Sequence, residues 1–453
     1  MPPSGKPRCW SRKRTRLQVA DPRPEAQEKA YLRERARAIF GRAVEAADPS
    51  AALADKLASD PFPVPAAGGR TILIAIGKAA PAMLSQALTH VDGDCEAIAV
   101  THYENEMDVP GGTVIRAAHP VPDENGVAAG ERIIEILATA SSDDQVIALI
   151  SGGGSALVPA PVEGVSLPEK AQVNRLLLGS GTDIVRMNLV RQQLSRLKGG
   201  GLLRHASPAP VTAYILSDVI GDDLRAVASG PTVSPIGMRE DARRVCEEAG
   251  IWDDLPASVR AHMEAKEIDR AVIPPAQNHL IGSNRLSLMA ACAEAEKDFE
   301  AKIISDCLTG DVAEAAEAIV QAARAKKSDA SVALLFGGET TVQIRGDGLG
   351  GRNQELALRI AMLASEIGNE RDWLFLSGGT DGRDGPTEAA GGFADAGTCD
   401  RIVAAGGDPA ALLANNDSNR ALALADDLLV TGATGTNVAD IQVFLWGPAK
   451  GAP

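Results

Sequence analysis

The chain has 453 residues, more than a single hydrophobic core usually spans, so two domains are expected. Hydrophobic and charged contents of 45% and 23% are those of a globular protein, and only 3% of residues are aromatic, so the core must be built from Ala, Val, Ile and Leu. A net charge of −15 argues against nucleic acid or an anionic membrane as the main partner, and no apolar run approaches the roughly 18 residues of a membrane span.

The six cysteines show no CxxC, and the six histidines no HExxH, so neither a disulfide framework nor a dedicated zinc site is expected. The cysteines read as reduced thiols of a cytoplasmic protein. Residues 1–24 carry Lys6, Arg8, Arg12, Lys13, Arg14 and Arg16 without a signal peptide's apolar stretch, and read as a disordered basic leader. Helix formers fill 25–47. TILIAI at 71–76 is the first buried strand and runs straight into Gly77-Lys78. Strands at 97–101 and 114–118 follow, then the turn-rich loop that starts at His119 and a helix at 128–138. VIALISGGGSAL at 146–157 is a buried strand that ends in Ser151-Gly152-Gly153-Gly154-Ser155.

Residues 182–199 read as a long amphipathic helix closed by Gly199-Gly200-Gly201, and 211–216 as another buried strand leading to Ser217-Asp218. A helix is expected at 251–267 and a linker at 273–275. The second block offers helices at 285–297, 311–326 and 353–364. Its strands are expected at 301–305, 332–336, 341–345 and 373–376, the last meeting the acidic glycine loop at 377–385, with an apolar tail at 441–446.

Strands alternating with helices imply βαβ units. The expected fold is α/β: a doubly wound, Rossmann-like, mostly parallel first domain at 25–270 and a smaller mixed α/β domain at 276–447. In such sheets ligands bind outside the carboxyl ends of the strands. Lys78, His119, Ser151–Ser155 and Asp218 all fall just after expected strands, which marks a candidate site.

Each candidate has a plainer reading beside it. The glycine loop Ser151, Gly152, Gly153, Gly154, Ser155 offers backbone N–H groups to a phosphate, or is simply a tight strand-to-helix turn. Lys78 and Arg352 suit phosphate or carboxylate binding, Arg352 through its planar fork, or are surface charges. His119 contacts substrate or makes a structural hydrogen bond. Arg186, Arg191 and Lys198 read as solvated or capping charges on one helix, with Arg191 also a candidate substrate contact. Asp218 and Asp381 are the foremost candidates to hold Mg2+ on a nucleotide, although Asp beside Gly also makes turns. Gly77-Lys78 is not a P-loop, because Ile72 stands where the first glycine belongs and Ala79 replaces the hydroxyl residue. Residues 346–351 match GxGxxG, but the segment before them alternates polar and apolar and no acid-ended strand follows at the spacing a dinucleotide site requires.

Taken together, AIGKAAPAM (75–83), AAHPVPDENG (117–126), LISGGGSAL (149–157), LSRLKGGGL (194–202), SDVIGDDLRAVASGPTV (217–233), GDGLGGRNQELAL (346–358) and FLSGGTDGRDGPTEAAG (375–391) give the chain its resemblance. From about residue 28 to 446 it resembles the class II glycerate 2-kinases with their C-terminal module. The resemblance implies ATP- and Mg2+-dependent phosphorylation of the 2-hydroxyl of D-glycerate to 2-phosphoglycerate, in a cleft between two α/β domains. It also implies central roles for Lys78 and Arg352. The expected partners are thus small molecules, and a homo-oligomer is compatible with the sequence. Two competing readings remain: an NAD(P)H-dependent hydroxypyruvate reductase, resting on the GxGxxG match, and a small-anion sensor that closes without turnover.

Overall fold

The computed structural model describes residues 25–265, 273–325, 330–368 and 371–449; the basic leader expected at 1–24 lies outside them. The first sheet comprises β1 (Thr71–Ile76), β2 (Cys95–His102), β3 (Thr113–Ala117), β4 (Gln145–Ile150), β5 (Val211–Leu216) and β6 (Gln277–Gly282). Its order is β3-β2-β1-β4-β5-β6 and every pairing is parallel. β1, β4 and β5 are buried along their whole length, which is why TILIAI, QVIALI and VTAYIL are nearly continuous apolar runs. Alternate residues serve opposite faces. Ile72, Ile74 and Ile76 join one core with Ile133 and Leu203. Leu73 and Ala75 join the other with Met83 and Leu84.

The second sheet comprises β7 (Glu300–Asp311), β8 (Val332–Thr341), β9 (Trp373–Gly379), β10 (Gly391–Ala394), β11 (Leu428–Leu429) and β12 (Asp440–Trp446), in the order β11-β10-β9-β12-β8-β7. Only β7 and β8 pair in parallel, so this sheet is mixed. The apolar tail expected at 441–446 is its buried central strand, flanked by β8 and β9.

The lobes do not divide where the composition suggested. Helix Glu25–Glu45 packs Leu32, Ala36, Ile39 and Phe40 against Leu374, Ile441 and Val443 of the second sheet, so it belongs to the second lobe rather than to a 25–270 unit. Conversely β6, a strand the sequence did not signal and one that lies beyond the expected boundary at 276, pairs with β5 and extends the first sheet. The chain therefore crosses between lobes twice, near Ala47 and near Ser283. At the first crossing Thr436 Oγ1 donates to the Ala47 carbonyl at 2.5 Å, and Ala47, Leu216 and Val438 bury one another.

Local expectations also shift. The helix expected over 182–199 runs only from Ile184 to Gln193, and a separate short helix, Gly201–Ala206, follows the glycines. The expected strand at 341–345 does not form, and β8 ends at Thr341 while the Arg345 N–H is taken by Asn416 Oδ1. No helix among the described residues is long and apolar enough to cross a membrane.

Candidate active site

The order of the first sheet reverses direction between β1 and β4, the place where open α/β sheets leave a crevice beyond the strand ends. The loops leaving these two strands are joined by hydrogen bonds. The Lys78 N–H donates to the Gly152 carbonyl at 2.9 Å, and the Ala79 N–H to Ser151 Oγ at 3.1 Å. Gly77 has φ +130°, and a Cβ there would stand 2.1 Å from Ser151 Oγ, so this approach requires glycine. Thr101 Oγ1 and Asn105 Nδ2 both donate to the Lys78 carbonyl, fixing the backbone from which its ammonium projects.

Lys78, Ser151 and Gly152 form one wall of a cavity of about 360 Å3 between the lobes; Asp381, Arg383, Thr436 and Asn437 of the second lobe face them. Asp381 is set by a bond to its Oδ1 from the Arg383 N–H at 3.0 Å. Asp218, from the end of β5, backs this cavity, its carboxylate so close over Gly152 that a Cβ there would meet Oδ2 at 2.1 Å. Burial pushes the Asp218 carboxyl up, with Lys78 pulling it back down.

His119, Gly153, Ser155 and Arg191 lie on the other side of the glycine loop, around a second cavity of about 410 Å3 within the first lobe. The loop is thus a shared wall: Ser151 and Gly152 face one cavity, Gly153 and Ser155 the other. Gly154 faces neither and packs on Ala228 and Ile76. Burial, Lys78 and His102 hold His119 down to about 4, so its ring is neutral at pH 7.

Arg352 lines neither cavity. At the start of helix Arg352–Met362, its Nε and Nη2 grip Asp440 at 2.5 and 3.0 Å, while Nη1 reaches Glu339 at 3.0 Å. Burial opposes its charge, but these pairings more than restore it and raise its pKa. The fully buried Asp440 carboxyl is pushed up to about 6 by burial, against the pull of Arg352. The sequence offered no sign of this partner 88 residues away. Nor did it disclose the work of Asp384. This buried carboxylate accepts from the N–H groups of Asn353 and Gln354 at 3.1 and 2.9 Å and from Gln354 Nε2 at 3.0 Å, capping the same helix from a distant loop.

Lys198, expected as a solvated or capping charge, is 5% exposed, because the helix that would have carried it outward ends five residues earlier, at Gln193. Lys170, which the sequence reading passed over, lines the same cavity. Arg186 is the surface charge it was expected to be, paired with Glu248. The GxGxxG loop is packed on its own lobe. The N–H groups of Gly346, Gly348 and Leu349 bond Asn416, Asn415 and Asp417, which leaves little backbone for a dinucleotide pyrophosphate. Among the described residues no three or more His, Cys, Asp or Glu side chains are placed to hold a metal ion by themselves.

Two family models match the chain: a domain of unknown function, DUF4147, over residues 35–264, and the MOFRL family over 332–440. The chain is 38% identical over 439 residues to the glycerate 2-kinase of Pyrococcus horikoshii, covering 93% of this chain and 98% of that one. It is 37% identical over 421 residues to a protein of Agrobacterium vitis named as a putative hydroxypyruvate reductase, covering 91% and 94%. The crystal structure of glycerate kinase from Thermotoga maritima superposes with a TM-score of 0.84 at 38% identity, over 93% of this chain and all of that one. The chain therefore belongs to the glycerate kinase family, as a DUF4147 domain followed by a C-terminal MOFRL module.

Proposed function

We propose that this chain is an ATP-dependent glycerate kinase that phosphorylates the 2-hydroxyl of D-glycerate to give 2-phosphoglycerate and ADP. Its relatives' names support the activity. The observation that carries the site is Lys78: a cation without a carboxylate ion pair among the described residues, held at the strand exit and facing the second lobe across one polar cavity.

Phosphoryl transfer needs positioned charge more than covalent help from the protein. In this reading Lys78 and the free N–H groups of the glycine loop stabilise the negative charge that spreads over the transferring group. Asp218 and Asp381, one from each lobe, orient the acceptor hydroxyl against the terminal phosphate of the donor. Among the described residues no all-protein cage exists for Mg2+, but the ion usually binds one or two carboxylates together with the phosphates of a nucleotide, and either aspartate fits that role. Mg2+ held there would supply charge neutralisation for the phosphates. The guanidinium of Arg352, with its side chain 34% exposed, is held by Asp440 and Glu339, and in this reading it supplies positive charge toward the acceptor carboxylate.

ADP release that depends on both D-glycerate and Mg2+ tests the reading. Lys78→Ala is expected to lower kcat ~10²–10³-fold, the scale set by losing a positioned stabilising group at the transition state. Activity within threefold of the parent would remove Lys78 from the reaction.

A further inference from the structure

The cavity behind Gly153 has an unusual charge balance. Lys170, Arg191 and Lys198 converge on it, and each is held by neutral oxygens alone. Lys198 Nζ donates to the Ser155 carbonyl at 2.8 Å and Lys170 Nζ to the Pro159 carbonyl at 2.5 Å. The Arg191 guanidinium donates to Asn174 Oδ1 at 2.9 and 2.5 Å and reaches Asn188 Oδ1 at 3.4 Å. Among the described residues none of the three has a carboxylate ion pair. Burial and the neighbouring arginine bring Lys198 down to about 7, and burial with Lys198 and Arg191 lowers Lys170 well below its ordinary value. Buried charge without a counter-charge is costly, and here three like charges repel one another as well. A polyanion removes both costs.

Another part of the lining is apolar. Val121, 69% exposed, stands with Leu167 and Ala171 as an apolar flank to the cations. A three-carbon hydroxy acid has no apolar face to offer such a wall and fills little of 410 Å3. A nucleoside triphosphate has a flat base at one end and a chain of phosphates at the other.

We propose that this first-lobe cavity is the donor subsite, binding a nucleoside triphosphate with its phosphates on Lys170, Arg191 and Lys198 and its base against Val121, Leu167 and Ala171. The proposal rests on the kinase reading and deepens it. The two cavities divide the ligands: donor behind Gly153, acceptor between the lobes. The terminal phosphate reaches the reaction at the shared glycine wall, where a Cβ on Gly153 would lie 3.1 Å from Lys78 Cγ and 3.3 Å from His119 Cδ2.

Isothermal titration of the full chain with the non-hydrolysable triphosphate AMP-PNP and with tripolyphosphate tests this, beside the KM for D-glycerate. Lys198→Met is expected to weaken both ligands at least tenfold. Ala171→Phe, which fills the apolar flank and keeps every charge, is expected to weaken AMP-PNP at least tenfold and tripolyphosphate less than threefold. The glycerate KM should change less than threefold in Ala171→Phe. A parent that does not bind AMP-PNP, or AMP-PNP affinity unchanged in both variants, overturns the proposal; so does a tenfold rise in glycerate KM with AMP-PNP affinity intact. Because titration needs no turnover, AMP-PNP binding with this variant pattern but no glycerate-dependent ADP release would uphold the nucleotide site while defeating the kinase reading.

Discussion

The cavities on the two sides of the Gly152–Gly153 wall are similar in size and differ in charge balance. Between the lobes, Lys78 and Arg383 are balanced by Glu104, Asp381 and Glu388. Within the first lobe, Lys170, Arg175, Arg191 and Lys198 have no acid among the lining residues. A mixed lining is stable when empty and can accept hydroxyl, carboxylate and metal-bearing groups together. A lining whose charges are all cationic is stable mainly when an anion fills it. The difference shows how one Gly-rich loop can serve two ligands, with a balanced face for the acceptor and an uncompensated face for phosphates.

The largest effect expected from disturbing this contrast is on stability. Lys198 is a base whose folded pKa lies near 7, below the 10.5 of the unfolded chain. Between those values the unfolded state holds more protons, so stability rises with pH from about 7 towards 10, and the full cost is present below 7. The Arg191 charge faces it throughout that range. Lys198→Met should therefore stabilise the free protein at pH 7 by up to roughly 5 kcal/mol, with the gain shrinking toward pH 10. Thermal unfolding across pH measures it; a destabilised variant with an unchanged pH slope would mean that the cavity's charges are compensated after all.

Asp384→Ala comes next. It leaves the first N–H groups of helix Arg352–Met362 and the Gln354 amide without a buried acceptor, at a cost of about 2–4 kcal/mol read by chemical denaturation. Asp384→Asn should recover part of that loss. Gly152→Ala acts on the wall itself. Its Cβ has no room beside Asp218, so kcat should drop ~10²-fold, the scale of a roughly 1 Å misplacement, with a smaller loss of stability. Equal effects on both would show a folding defect rather than a displaced loop. The smallest effect is expected from Asn416→Ala, which frees the N–H groups of Arg345 and Gly346 at about 1 kcal/mol and should confer no NADH binding in a fluorescence titration.

What the sequence disclosed and what it concealed follow the range of the interactions involved. Buried parallel strands are local apolar runs, so β1, β4 and β5 could be read directly, and with them the exits carrying Lys78, the glycine loop and Asp218. His119 and Arg191 were singled out too, yet nothing in their spacing revealed that they line a different cavity from the one Lys78 lines. The lobe boundary was misplaced because helix Glu25–Glu45 finds its partners around residues 288–445, far along the chain. Arg352 was legible as a charge after a glycine loop, but its clamp by Asp440 and Glu339 is a tertiary fact. Lys198 was misjudged for a local reason. The continuation of helix Ile184–Gln193 was assumed up to the glycines, and the burial of a lysine depends on where that helix stops.

The most direct test of the central claim is phosphorus NMR of the products formed from D-glycerate, ATP and Mg2+. A 2-phosphoglycerate signal that requires all three and the protein, and that is lost with Lys78→Ala, is the result expected here. A 3-phosphoglycerate signal would contradict the assigned position of transfer. No phosphorylated glycerate, alongside NADH oxidation with hydroxypyruvate, would contradict the kinase reading itself.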